Sequence, residues 1–165
     1  MTETQDTGKA TGTVTWELRD EDGNLIRSGV EKNIVTQIGD QMYAERGAGI
    51  TATPVPTGMK LGSGTTAAAK TGAGAALVTY ITNSHQAFDG TYPQSALNGG
   101  ARRITYRCTF AAGKGTGNIQ ELVIVNESLT DATSAAANTV HRIVSAVGSK
   151  AAGDSLVVTW TYDLS

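Results

Sequence analysis

The sequence predicts a mainly β protein, an antiparallel β-sandwich or jelly-roll-like body of about seven or eight strands with one helix. Segments in which apolar and polar residues alternate recur along the chain, which is the pattern of strands with one buried face. Clusters of Gly, Asn, Asp and Pro separate these segments and are typical of turns. Residues 33–46 alone have apolar residues at helical spacing, so we expect a single helix there.

The clearest strand is the last one, residues 155–164. Its alternating apolar residues are Leu156, Val158, Trp160, Tyr162 and Leu164. Because a strand cannot bury such a face alone, another segment must lie opposite it. The best partner is 101–110, with Ile104, Tyr106, Cys108 and Phe110 on one face; a third candidate is 13–19, with Val14, Trp16 and Leu18. We therefore predict that both tryptophans point into a core enclosed by sheets.

The first part of the chain predicts a hairpin followed by the helix. Strands 12–19 and 25–30 flank a turn whose acidic residues lack the spacing of a calcium loop. The helical stripe consists of Ile34, Val35, Ile38, Met42 and Tyr43. Asn33 is the predicted N-cap, and Gly47 the predicted residue just after the helix.

Further strands are predicted at residues 58–62, 76–82, 118–126 and 139–147. The Gly/Ala/Thr-rich segment 63–75 is expected to be an exposed loop, and 83–100 and 127–138 are further loops. Both faces of 122–125 are apolar, which predicts an interior strand or one packed against the helix. Of the two histidines, His85 is expected in an exposed loop and His141 on the outward face of its strand.

Length and composition predict one domain over residues 12–165, preceded by a flexible polar arm over residues 1–11. The net charge of -2 argues against direct nucleic-acid binding, and no apolar run is long enough to span a membrane. The lone Cys108 excludes a disulfide within the chain and is expected in the core. We expect synthesis in a cytoplasm, since the first residues do not resemble a signal peptide.

No catalytic, cofactor-binding or metal-binding residues are predicted, and the expectation is that the protein is not an enzyme. Residues 64–71 partly resemble a phosphate loop, but Ala69 stands where glycine should precede the lysine. The two histidines lie in no nucleophile motif, and with scattered carboxylates they form no recognisable metal pattern.

Four residues are predicted to contact neighbouring subunits. Arg103 and Arg107 form a row on the polar face of 101–110, and they can pair with acids such as Glu17, Glu121 or Asp163. Phe88 and Tyr92 lie in the long loop 83–100. An alternative interpretation is that these two rings stack on a sugar, as in a carbohydrate- or receptor-binding β-sandwich.

Several motifs resemble those of small structural proteins of tailed bacteriophages and of the modules that begin phage tail fibres. They are IGDQMYAER (38–46), MKLGSGTT (59–66), TFAAGKGTG (109–117), IQELVIVN (119–126), RIV (142–144) and KAAGDSLVVTWT (150–161). The resemblance covers most of the chain from about residue 12. Segments 83–100 and 127–138 match nothing in the family pattern.

The resemblance implies a non-enzymatic virion subunit, without cofactor, that is made in the cytoplasm of the bacterial host. The expected function is that of a capsid decoration or cement protein that binds the major capsid protein. A tail, neck or baseplate attachment module is the alternative. By analogy with decoration proteins we expect a homo-oligomer, specifically a trimer. The arm and loops 63–75 and 83–100 would supply contacts.

Overall fold

The computed structural model describes residues 11–164, except for the side chain of Thr11. Ten strands and one α-helix make up this part of the chain. The elements are β1 (Thr11–Arg19), β2 (Leu25–Lys32), β3 (Ile34–Val35), α1 (Gln37–Gly47), β4 (Gly58–Gly62), β5 (Gln86–Ala87), β6 (Gln94–Asn98), β7 (Ala101–Phe110), β8 (Gly117–Val125), β9 (Thr139–Lys150) and β10 (Ser155–Leu164). Short 3₁₀ turns occupy Gly72–Ala75 and Ala136–Asn138.

The strands form two antiparallel sheets of five, which confirms the predicted β-sandwich. Sheet A has the order β2-β1-β10-β7-β6, and sheet B has the order β3-β9-β8-β4-β5. The first and last strands are neighbours in sheet A, where Val14 lies opposite Trp160 and Thr11 opposite Asp163. The two ends of the described chain therefore close one continuous sheet.

The core lies between the sheets and contains both tryptophans, as predicted. Trp160 is fully buried, and Trp16 is 6% exposed. The expected arrangement of the strands around them is wrong, because β1, β7 and β10 lie side by side in sheet A rather than opposite one another. The opposing layer comes from β4, β8 and β9. Leu164 also departs from the alternation: it lies at the end of β10 and is 40% exposed.

The helix exists but begins later than predicted. Thr36, rather than Asn33, is the N-cap, and its hydroxyl oxygen accepts a hydrogen bond from the Gly39 amide. Ile34 and Val35 belong to β3, which pairs with β9. Gly47 is the last helical residue, and Gly49 takes the left-handed conformation at φ 75°. The helix packs against β9 so closely that a Cβ atom on Gly39 would lie 2.4 Å from the Val140 carbonyl oxygen.

The connections differ most from the predictions. Residues 76–82 are not a regular strand; they form one isolated β-bridge with sheet B, between Tyr80 and Gly62. The predicted loop 83–100 contains two strands, β5 and β6. The predicted arm lies outside the described residues apart from Thr11, which begins β1. None of the helices in the described part of the chain is long and apolar enough to cross a membrane.

Candidate interaction surface

The two outer faces of the sandwich differ, because loops cover the outer face of sheet B. Glu121 of β8 and Arg142 of β9 are fully buried there and form an ion pair at 2.8 Å. Glu121 also accepts hydrogen bonds from the backbone amides of Gly64, Val78 and Thr79. This pair holds segment 63–80 against the sheet, so part of the predicted exposed loop 63–75 is buried, including Gly64, Gly74 and Ala75.

A second ion pair holds loop 127–138 on the same face. The buried Lys60 ammonium lies 3.0 Å from the Glu127 carboxylate and donates a hydrogen bond to the Ala132 carbonyl. Leu77, Val123 and Val125 form a small apolar cluster under these loops. The prediction that 122–125 is an interior segment is confirmed, but its outer cover is this pair of loops and not the helix. The outer face of sheet B is therefore covered by loops of the same chain.

Residues 11–164 place no such layer on the outer face of sheet A. Its side chains are mostly threonine, with a few charged and aliphatic residues, and all are partly or fully exposed. The central ones, in register across β1, β10 and β7, are Thr13, Thr15, Glu17, Val157, Thr159, Thr161, Thr105, Arg107 and Thr109. Short polar and β-branched side chains make a flat surface with little side-chain entropy to lose on binding. We call this surface the open face.

A hollow of about 720 Å³ lies on the open face. Tyr92 and Arg107 line its β7 side, and Val30 and Ser28 of β2 line the other. Thr159 and Val157 of β10 also line it. A concave surface of this size can receive a side chain or loop of another molecule.

The predicted interface residues are only partly brought together. Arg103 makes a bidentate ion pair with Asp163, with both nitrogen–oxygen distances 2.7 Å, and this pairing holds the pKa of Asp163 below its usual range. Arg107 lies 3.5 Å from Asp89 and borders the hollow beside Tyr92. Phe88 instead packs against the core, with its ring 5.2 Å from that of Tyr106. Thus Phe88 and Tyr92 do not form one stacking platform.

A second depression, of about 660 Å³, lies where α1 meets the end of sheet A. Apolar residues line most of it, including Met42, Val55, Pro93, Ile104 and Leu164. Tyr43 and Tyr106 also line it, and their hydroxyl groups lie 2.8 Å apart. Leu164, which was predicted to be a core residue, instead borders this depression, whereas the partly buried Ile104 packs against the core and also lines the depression.

His141 faces the core, contrary to the outward orientation expected from the sequence. Its Nδ1 lies 2.7 Å from the side-chain amide nitrogen (Nδ2) of Asn33, and its Nε2 lies 2.7 Å from the Tyr43 hydroxyl oxygen. With that amide as donor, Nε2 carries the proton and donates to Tyr43, which can donate to Tyr106. Burial, with a smaller effect from the charge of Lys70, lowers the pKa of His141 from 6.5 to about 3. The imidazole is therefore a neutral structural group.

We predict that His141 makes the protein sensitive to acid. The unfolded chain binds a proton at His141 below pH 6.5, whereas the folded chain does so only near pH 3. Stability should therefore fall as pH decreases from about 6.5 towards 3. In urea unfolding at a series of pH values, His141→Gln should flatten this slope, while the control His85→Gln should retain it. An unchanged slope in His141→Gln would show that other groups cause the acid sensitivity.

The remaining candidate groups are structural. Cys108 is fully buried, as predicted; its thiol donates to the carbonyls of Gln86 and Ala87, and burial raises its pKa. His85 is half-buried rather than exposed and contacts the Tyr80 hydroxyl at 3.1 Å. Across residues 11–164 no group of three or more His, Cys, Asp or Glu side chains is arranged to hold a metal ion.

Comparison with known protein families, curated proteins and solved structures finds no match for this chain. The surface therefore has to be interpreted from its own geometry. Arg107 and Tyr92, which were predicted from the sequence as contact residues, line the hollow on this surface. Strand 25–30 was predicted as a strand but given no part in the surface, although the exposed residues of β2 include Leu25, Ile26 and Val30. The mixed apolar and charged composition of 25–32, without a clean alternation, was the available sign that this strand has no buried face.

Proposed function

We propose that the protein is a non-enzymatic structural subunit of a tailed-phage virion, and that the open face binds a neighbouring virion protein. The motifs that resemble phage structural proteins support the virion assignment. The observation that supports this choice of surface is the contrast between the two sheets. Sheet B is covered by loops held through buried ion pairs, whereas sheet A presents a threonine-rich face with no cover from residues 11–164.

Within the virion we favour a capsid decoration or cement protein that binds the major capsid protein. A tail, neck or baseplate attachment module is the alternative location. A specific contact with a shell subunit would have to bury roughly 1,000 Å² or more in total. Such a contact could be built on the open face, the hollow beside Tyr92 and the edges of β2 and β6 that no strand of residues 11–164 pairs with. Self-association is part of the proposal, and the resemblance favours a trimer.

Two threonine-to-arginine variants, each adding one positive charge, would test whether the open face is the binding surface. Thr159 lies in the middle of the open face, and Thr130 lies on the exposed loop that covers sheet B. We expect Thr159→Arg to be depleted from purified particles at least roughly tenfold, because a long charged side chain blocks close packing, an effect of about 1.4 kcal/mol or more. Thr130→Arg should be incorporated normally.

Mass spectrometry of purified particles measures incorporation, and circular dichroism confirms that both variants fold. Cryo-electron microscopy of wild-type particles would then locate the protein on the capsid or tail. Absence of the wild-type protein from particles would contradict the virion assignment. Equal incorporation of the two variants would contradict the role of the open face.

A carbohydrate- or receptor-binding role is the second candidate, and the position of Tyr92 on the hollow supports it. The ring borders the hollow together with Arg107 and Glu17, which offer polar groups to a sugar. A glycan array with the wild type and Tyr92→Ala would test this role. Binding that Tyr92→Ala loses would support it, and no binding by either protein would remove it.

A further inference from the structure

The free edge of β2 is the longest terminal-strand edge in the two sheets of the described chain. β2 has eight residues, whereas β3 and β5, which end sheet B, have two each, and β6 at the other end of sheet A has five. Seven of the eight β2 residues are exposed, and Val30 is 67% exposed. The outer side of a terminal strand presents unpaired backbone groups, which form a template for pairing with another strand.

We propose that β2 pairs antiparallel with β2 of a second copy of this chain, about a twofold axis through Gly29. In an antiparallel pair, two residues directly opposite each other either both point their N–H and C=O groups at the other strand or both point them away from it. Because that direction alternates along a strand, the axis of a self-pair passes through a residue and not between two residues. Ile26 is bulged out of the register with β1, so the regular part of β2 is residues 27–32.

Charge selects the register among the axes that remain. With the axis at Gly29, Arg27 lies opposite Glu31 of the partner subunit, and symmetry repeats the pair. An axis at Val30 would place Glu31 opposite a glycine and Lys32 opposite a serine, with no charge pairing. An axis at Ser28 would bring the bulged Ile26 into the ladder. The Gly29 register is therefore the one that is both regular and complementary in charge.

Arg27 and Glu31 are available for this pairing. Neither makes an ion pair with another residue in the described part of the chain. Arg27 Nη1 donates to the Val147 carbonyl at 3.4 Å, near the limit for a hydrogen bond, and Glu31 accepts from the Ser145 hydroxyl at 3.2 Å. Both side chains are exposed. Opposite charges directly across an antiparallel pair stabilise it, whereas like charges destabilise it.

The same register would also cover apolar surface. Val30 would lie opposite Ser28 of the partner subunit, at the rim of the hollow on the open face. Sheet A of one subunit and sheet A of its partner would join into one ten-stranded sheet, so that the long edge of each β2 is no longer free. This inference goes beyond the proposed function, because such a pair would form in solution without any virion protein. It also requires a dimer, whereas the family resemblance favours a trimer.

Charge reversal tests the complementarity. Analytical ultracentrifugation of the wild type should show a concentration-dependent dimer. Arg27→Glu and Glu31→Arg should each raise the dimer dissociation constant at least roughly tenfold, because each places like charges opposite each other twice. The double variant R27E/E31R should recover the wild-type value. A monomeric or trimeric wild type would overturn the proposal, and so would single variants that dimerise as the wild type does.

Cysteine cross-linking tests the register independently of the charges. Residues directly opposite in an antiparallel pair have Cβ atoms about 4.5–5.5 Å apart, close enough for a disulfide after small shifts, whereas diagonal residues are about 7–8 Å apart. A mixture of Ser28→Cys and Val30→Cys chains should therefore form a cross-linked heterodimer under mild oxidation. Neither variant alone should cross-link.

The outcomes of this experiment are distinct. Cross-linking of Ser28→Cys with itself would place the axis at Ser28, and cross-linking of Val30→Cys with itself would place it at Val30; either result overturns the proposed register. No cross-link in the mixture overturns the pairing. Denaturation in an excess of alkylating reagent caps the buried Cys108 as it becomes exposed, so that it does not exchange with the cross-link. Presence or absence of the protein in virions would not affect these results, so the two proposals fail separately.

Discussion

Replacing Arg142 with methionine should destabilise the folded protein by about 3–5 kcal/mol, the usual cost of leaving a buried charge without its partner. The guanidinium donates through Nε and Nη2 to one oxygen of Glu121, at 3.2 and 2.8 Å, and through Nη1 to the Gly74 carbonyl. Both side chains of the pair have no exposed surface. The substitution keeps much of the side-chain volume, so the loss is mainly electrostatic. Urea unfolding followed by circular dichroism measures it.

The matched control is Arg103→Met. Arg103 also donates through Nε and an Nη nitrogen to a carboxylate, that of Asp163, but its side chain is 35% exposed. Water replaces the lost contacts there, so the expected cost is about 0–1 kcal/mol. If Arg142→Met cost no more than Arg103→Met, the buried pair would not be what holds segment 63–80 on sheet B. Proteolysis within that segment should increase in Arg142→Met alone.

Trp160→Ala should destabilise the protein by about 3–5 kcal/mol through loss of buried apolar surface and formation of a cavity. Trp160 is fully buried, and its ring lies 5.7 Å from that of His141 between the two sheets. Neighbouring side chains cannot collapse into the space readily, because both sheets hold them in register. Unfolding should be measured at one fixed, low protein concentration, because self-association would add stability that depends on concentration.

Leu164→Ala is the control on the same strand. The alternation of residues 155–164 places Leu164 on the same face as Trp160, but its side chain is 40% exposed at the end of the sheet. We expect a cost below about 1 kcal/mol, in the range of surface substitutions. Equal costs for the two variants would show that the core is not centred on Trp160, and the sandwich interpretation would then be wrong.

Strands with one buried face were predictable from the sequence, because successive side chains point to opposite faces and apolar and polar residues therefore alternate. β1, β7 and β10 show this pattern over most of their length, and all three were placed correctly. The pattern identified the buried face but did not reveal which strands pair and which pack face to face. Side-by-side and face-to-face neighbours both bury apolar side chains, so the same residues satisfy either arrangement.

The covered side of sheet B was not predictable, because what covers it is polar. Lys60, Glu121 and Arg142 look like solvent-exposed charges in the sequence, and segment 63–75 looks like an exposed loop. In the fold each charge is buried by its partner and by backbone groups from distant segments. The open face became recognisable only once the two sheets of the fold could be compared, because the sequence does not distinguish the threonines of sheet A from those of the loops that cover sheet B.

By itself, the sequence determined that this chain is a β-sandwich with Trp16 and Trp160 in its core, because residues adjacent in the chain already carry the alternation that burial requires. The tertiary structure alone decided the pairing of β1 with β10 and the orientation of His141. These features depend on contacts between distant parts of the chain; β1 and β10, for example, are more than a hundred residues apart in sequence. Local periodicity carries no information about such partners.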